Sequence, residues 1–312
     1  MKGPLFYSKI LLFGEYGIIK DSKGLSIPYN FYNGALKLDG NESEQAIDSN
    51  RSLSKFVDYL HNLELDQPGL VSFDLETLRK DVDAGMYFDS SIPQGYGVGS
   101  SGALVAAIYD KYAQDKITVL ENLTREKLLK LKSIFGAMES FFHGTSSGLD
   151  PLNSYLSIPI LINSKNNIEA TGIPSQNNEG KGAVFLLDSG TTGETAPMVQ
   201  IFMENMKQDG FRKMIKNQFV KHTDACVDDF LTGDFKNLFG NLKKLSNVVF
   251  DNFKPMIPSQ FHKLWEKGIE TNDYYLKLCG SGGGGYILGF TQDIDKAKEA
   301  LEGHKLEVVY NF

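Results

Sequence analysis

Pro93-Gln94-Gly95-Tyr96-Gly97-Val98-Gly99-Ser100-Ser101-Gly102-Ala103 sets the reading of this chain. Its alternating glycines run into two serines and then into an Ala/Leu/Val-rich stretch with helical character over about 100–116. Without Cβ atoms, positions 95, 97 and 99 let the backbone turn tightly and approach an anion. The following helix aims unpaired N–H groups and its positive dipole end at the same point. The serine hydroxyls can serve a phosphate oxygen or a magnesium ion. A glycine-rich turn before a helix can also be packing punctuation, so other segments must decide.

Three do. Near the start lies Lys9-Ile10-Leu11-Leu12-Phe13-Gly14-Glu15-Tyr16-Gly17-Ile18; in the middle stands Glu139, then His143-Gly144-Thr145-Ser146-Ser147-Gly148-Leu149-Asp150; towards the end comes Leu278-Cys279-Gly280-Ser281-Gly282-Gly283-Gly284-Gly285-Tyr286. With the serine loop, in this order and spacing, they resemble the GHMP kinase superfamily, and within it the mevalonate kinases most closely. The resemblance spans nearly the whole chain.

It implies an α+β fold of two domains. The N-terminal domain would resemble part of ribosomal protein S5 (its domain 2) and the C-terminal domain would be ferredoxin-like. It also implies ATP and magnesium as cofactors, and phosphoryl transfer to a primary alcohol, mevalonate being the first expectation. Phosphomevalonate and other sugar or alcohol acceptors are alternatives, as is a catalytically silent sensor that binds ATP or a sugar.

By the same resemblance Pro93, Gly95, Gly97, Gly99, Ser100, Ser101 and Gly102 hold the ATP phosphates, Gly282 and Gly283 close on them, and Ser100 or Ser101 reaches magnesium. Glu139 matches the magnesium-binding glutamate and Asp150 the catalytic aspartate, eleven residues apart as the motif requires. A helix carboxylate and one on the following Ser-Ser-Gly-Leu-Asp turn can converge, which suits magnesium's preference for one or two carboxylates plus substrate phosphates. Lys9 would neutralise charge developing on the phosphoryl oxygens. Glu15, Tyr16 and Thr195 fall at substrate-contacting positions, with Lys9 and Asp150. Thr195 reads equally well as a simple helix cap, and His143 as a helix-end residue or as an orienter of Glu139. Three departures stand out: Gly102 replaces the usual alanine, Tyr96 a small residue, and Tyr16 the histidine of the animal enzymes. Tyrosine at the last position also occurs in phosphomevalonate kinases.

Length and composition agree with this. The 312 residues, 41% apolar, can fill two cores. A net charge of −7 argues against a nucleic-acid or anionic-membrane surface. Two cysteines make no disulfide framework, so a reducing cytoplasm is expected, with no membrane partner. A homodimer is left open.

Strands are expected over 5–13 and 17–19, meeting at Gly14, and over 34–39 and 69–75. Helices are expected over 51–63 and 124–143, the latter with a buried face of Leu128, Leu131, Phe135, Met138 and Phe142 and with Glu139 at its edge. The polar, patternless stretch 163–182 suggests a boundary, giving domains 1–180 and 181–312. Beyond it come a strand at 183–188, helices at 195–208, 210–231, 234–251 and 258–270, a glycine-turned strand pair at 274–290, a helix at 293–303 and a strand at 306–310. Two matches to G-x-G-x-x-G raise a dinucleotide fold, but Asp89-Ser90-Ser91-Ile92-Pro93 precedes the first where a buried strand belongs. The P-loop signature and the H-R-D and D-F-G signatures of protein kinases are absent.

Overall fold

The computed structural model describes residues 4–312 except 121, 165 and 178. The chain divides into two compact units, one holding the residues up to Lys9, Ile27–Pro93 and Gly99–Ile158, the other Ile10–Ser26, Gln94–Val98 and Pro159–Phe312. The division is therefore not a single cut at residue 180. The polar stretch beyond 158 belongs with the C-terminal residues, and the N-terminal strands carry chain into both units.

In the first unit, β1 (Phe6–Phe13) contributes its opening residues and β2 (Gly24–Lys37) its longer, distal part. Helix α1 (Glu44–Asp66) starts inside the expected polar spacer because Ser43 caps it, accepting from the Ala46 N–H. Leu53, Phe56, Val57, Leu60 and Leu63 form its buried face. The strand expected over 69–75 is reduced to one bridge, Phe73 to Ala113. Asp74 then caps α2 (Leu75–Asp83).

Strand β3 (Tyr87–Ser90) pairs antiparallel with β2, Gly34 opposite Ser90 and Lys37 opposite Tyr87. Helix α3 (Ser100–Tyr112) has Val105, Ala106, Ala107 and Ile108 all buried, so packing covers most of its circumference, with Lys111 left exposed. Thr124 caps α4 (Arg125–His143), whose buried face holds Leu128, Leu131, Phe135 and Met138 as expected; Phe142 is half-buried. The Ser-Ser-Gly-Leu-Asp segment, expected as a turn, continues into α5 (Leu149–Leu156), with Gly148 in the left-handed region as its N-cap.

In the second unit, residues 17–19 form a 3-10 turn (Gly17–Lys20) rather than a strand, because Tyr16 and Asp21 on either side both have positive φ. Strand β4 (Ile160–Ser164) pairs with Gly24–Ser26 of β2 and with β5 (Asn167–Ala170), a bulged hairpin where no pattern was expected. A four-stranded antiparallel sheet comes next in the chain. Its centre is β6 (Ala183–Asp188), buried from Ala183 to Leu187.

Helices α6 (Thr195–Asn205), α7 (Asp209–Met214), α8 (Val220–Thr232), α9 (Phe235–Asn252) and α10 (His262–Thr271) succeed β6, with a π-helical turn at Ile215–Phe219 joining α7 to α8. The sheet is completed by β7 (Tyr275–Leu278) and β8 (Tyr286–Thr291), then, beyond α11 (Ile294–Ala300), by β9 (Leu306–Asn311); its order is β7-β8-β6-β9. Among the described residues no helix is long and apolar enough to cross a membrane.

Candidate active site

In the first unit four chain segments bring the chemistry together. Lys9, from β1, is 3% exposed, and its Nζ lies 3.0 Å from Asp150 Oδ2 in the first turn of α5. The Asp150 side chain is 38% exposed, so the ion pair has a wet end and a dry one.

Glu139, on α4, is 4% exposed. Its Oε1 accepts from Ser101 Oγ at 2.9 Å and its Oε2 from Ser146 Oγ. Ser146 in turn accepts from the Gly148 N–H, which fixes the loop that leads to Asp150. His143, one turn on from Glu139, places Nε2 3.0 Å from Ser101 Oγ. It touches the carboxylate only through that serine. Ser100 opens α3 and is half-buried.

Burial and the like charge of Asp150 push the Glu139 carboxyl up to about 7, against the opposing pull of the Ser146 and Ser101 hydroxyls and Lys9. A buried carboxylate beside a second carboxylate, with only hydroxyls on its oxygens, is a hard all-oxygen donor set that fits magnesium. Among the described residues no three His, Cys, Asp or Glu side chains gather as a metal cage, so phosphate oxygens would have to complete the coordination.

Local packing explains two sequence features here. Gly99, N-cap of α3 at φ +83°, leaves room for Lys9: a Cβ there would stand 3.0 Å from the lysine Cγ. Gly102 lies against Asp150, and a Cβ would come within 2.8 Å of the Asp150 carbonyl carbon and the Pro151 nitrogen. The glycine that departs from the family pattern thus sets the approach of α3 to α5 beneath the aspartate.

The second unit holds the other half of the serine loop with the late glycine turn. Gly193 N–H donates to Gly95 O at 2.8 Å, and Tyr286 N–H to Tyr96 O at 3.3 Å. A Cβ on Gly97 would meet Cys279 O at 2.5 Å. Gly280, Gly282, Gly283, Gly284 and Gly285 all have positive φ, so the glycine run is required by backbone conformation as well as by close approach. Tyr96, the second departure, packs edge-on against Tyr286 at 4.9 Å between ring centroids.

Of the five residues expected to touch substrate, Glu15, Tyr16 and Thr195 have partners within this unit. Glu15 is buried and ion-paired with Lys277, Oε1 to Nζ 2.7 Å; that ammonium also donates to Leu278 O. Nothing in the sequence signals the Lys277 contact, since 262 residues separate the partners and Lys277 reads as an ordinary strand lysine. Tyr16 is buried, stacks on Phe202 at 4.7 Å and donates its hydroxyl to Ser281 O at 2.6 Å. Burial and Glu15 push its phenol well above the usual tyrosine range. Thr195 is not a cap: Glu194 occupies that position without a side-chain bond, and the Thr195 hydroxyl instead accepts from Ser281 Oγ at 3.3 Å.

Residues 57–157 match the family described as GHMP kinases N terminal domain. No curated protein sequence matches the chain. Among solved structures it is similar to L. major mevalonate kinase in complex with R-mevalonate, at 16% identity and TM-score 0.65 over 99% of this chain and 97% of that one. It is also similar to Streptococcus pneumoniae phosphomevalonate kinase, at 14% identity and TM-score 0.59 over 99% and 100%. A third is Lactococcus lactis galactokinase complexed with galactose, at 13% identity and TM-score 0.58 over 98% and 93%. The chain therefore carries a match to the GHMP kinase N-terminal domain over residues 57–157 and shares the fold of these kinases over nearly its whole length.

Proposed function

We propose that the protein is an ATP- and magnesium-dependent kinase that phosphorylates the primary hydroxyl of mevalonate. The observation that carries the reading is the Lys9–Asp150 pair at 3.0 Å, next to Glu139 and the N-terminus of α3. Phosphoryl transfer asks chiefly for positioning and charge stabilisation, and these groups supply both. The backbone from Pro93 through Gly95, Gly97 and Gly99 to Gly102 cradles the triphosphate, with Ser100 at the helix start. The Gly282–Gly283 segment, whose turn packs on Gly95–Gly97, is a further ATP-binding element.

Magnesium, held by Glu139 and Ser101 with Ser100 beside them, would neutralise phosphate charge. Asp150 faces the alcohol from the exposed end of its ion pair. It either takes the hydroxyl proton as the oxygen bonds to the γ-phosphorus and ADP leaves, or orients that hydroxyl. Lys9 offsets the negative charge gathering at the transferred group.

Mevalonate is favoured by the His143-to-Asp150 segment and by the structural likeness to a mevalonate kinase. The tyrosine that pointed to phosphomevalonate has its hydroxyl engaged with Ser281, so its identity carries less weight for the substrate. ADP release measured side by side with mevalonate, phosphomevalonate, galactose and homoserine tests the reading; mevalonate should be the best acceptor. Asp150→Asn should abolish turnover while ATP still binds. A variant that keeps most of its rate removes Asp150 from the mechanism, and ATP binding without turnover on any alcohol favours a sensor.

A further inference from the structure

Tyr16 occupies a backbone conformation that a bulky residue rarely adopts. Its φ is +59° and ψ −38°, and the Gly17 N–H closes back onto Glu15 O at 2.6 Å, so the tyrosine stands at the centre of a strained three-residue turn. Such strain persists only where the surroundings over-determine it, and it clusters at functional positions. Here the surroundings are visible. The ring lies between Phe202, stacked at 4.7 Å, and Phe253, at 5.8 Å. The hydroxyl reaches Ser281 O.

Ser281 is the one residue with a side chain between Gly280 and Gly285. A run of glycines has little of its own to hold it, because each can leave its native φ and ψ at small cost. Among the described residues five bonds from outside the turn restrain it: Tyr16 Oη to Ser281 O, Ser281 Oγ to Thr195 Oγ1, Gly283 N–H to Met256 O, Gly285 N–H to Thr191 O and Ser189 N–H to Gly285 O. Only the first comes from the N-terminal segment. The turn in its turn abuts the serine loop: Cys279 O fills the space beside Gly97, and a Cβ on Gly285 would meet the Tyr96 Cα at 2.6 Å.

We propose that Tyr16 is a positioning residue for the nucleotide, whose hydroxyl clamps Ser281 and thereby holds the glycine turn against the Gly95–Gly97 backbone, rather than a residue that reads the alcohol. The kinetic half of this inference rests on the proposed kinase function; the structural half does not.

Tyr16→Phe keeps the ring between its two aromatic neighbours and deletes only the clamp. Loss of one hydrogen bond, at a net value near 1 kcal/mol, corresponds to about a fivefold change. Hydrogen exchange of the peptide spanning 279–286, followed by mass spectrometry on the full-length protein, should therefore quicken about fivefold. In steady-state assays with the best acceptor, the KM for ATP should rise about fivefold, with the KM for the alcohol and kcat within about twofold of the parent.

Unchanged exchange overturns the clamp. Faster exchange with the alcohol KM raised and the ATP KM unmoved overturns the assignment to the nucleotide. If the parent protein neither binds ATP nor turns over any alcohol, the kinase reading has failed, and exchange alone still decides whether Tyr16 holds the turn. Ser281→Ala, which leaves the backbone carbonyl in place, should give a smaller acceleration than Tyr16→Phe; a larger one overturns the proposal, since it would put the restraint on the serine hydroxyl.

Discussion

Glu139→Gln is the substitution whose consequence can be worked furthest. It preserves shape and removes a charge that is buried beside Asp150. In the folded protein the Glu139 carboxyl titrates near 7, raised from an ordinary value of 4.5. A raised carboxyl pKa means that the unfolded chain gives up its proton first. Stability from this group is therefore fully present below about pH 4.5 and is lost as pH rises through 7. A separation of that size corresponds to roughly 3 kcal/mol at full development, of which about 2–3 kcal/mol falls between pH 5 and pH 8. The glutamine has no such dependence, and the Ser101 and Ser146 hydroxyls that donate to the carboxylate can accept from an amide. Urea denaturation with EDTA at pH 5 and pH 8 should show the variant gaining on the parent by about 2–3 kcal/mol at the higher pH. A difference between the two proteins that does not change with pH would refute the reasoning. It would mean that Lys9 and the two hydroxyls fully compensate the buried charge.

Two other substitutions test the second unit. Lys277→Met leaves the Glu15 carboxylate buried without its ion-pair partner and should cost about 3–5 kcal/mol, whereas the double change Glu15→Gln with Lys277→Met should cost less than Lys277→Met alone; urea melts that show simple additivity would remove the coupling. Gly97→Ala must bear both a φ of +78° and a Cβ 2.5 Å from Cys279 O, while Gly144, at φ +73°, has open space around it. Gly144→Ala should cost about 1 kcal/mol, and Gly97→Ala about 2–4 kcal/mol together with weakened ATP binding; equal losses by thermal or urea unfolding would mean that the close approach at Gly97 is not what its glycine is for.

What could be read from sequence divides by how local the determining physics is. The helix from Arg125 to His143 announces itself through a threonine cap and a stripe at helical spacing, and the strand Ala183–Asp188 through a run of apolar residues. Only the end of strand β2 is legible in sequence, because Pro28 and the Tyr29–Asn33 stretch break the alternation that marks a half-buried strand. Hairpin β4–β5 hides in a polar stretch since only Ile160, Ile162 and Ile168 of it are buried apolar residues. The turn at Gly17–Lys20 depends on positive φ at Tyr16 and Asp21, neither of them glycine, and nothing in their side chains signals it.

The same division runs through the candidate site. Glu139 and Asp150 are eleven positions apart across a helix end and a short loop, so their spacing in sequence restricts their spacing in space and makes the motif recognisable. Lys9 and Asp150 are 141 residues apart, and only the resemblance assigns both to one expected site; their ion pair is a fact of the fold. No chemistry imposes the partners of Tyr16 and Glu15. They depend on where β7 and the glycine turn come to lie, which is a packing outcome. Position 16 reads as a substrate contact in sequence for that reason: a motif preserves the order of residues around a site without saying whether a given side chain faces the ligand or braces the backbone that does. Gly102 makes the point in reverse. In sequence it stands out only as a departure from the pattern; in the fold the backbone of Asp150 and Pro151 lies where its side chain would be. The missing methyl belongs to the approach of two helices, and that approach positions the aspartate.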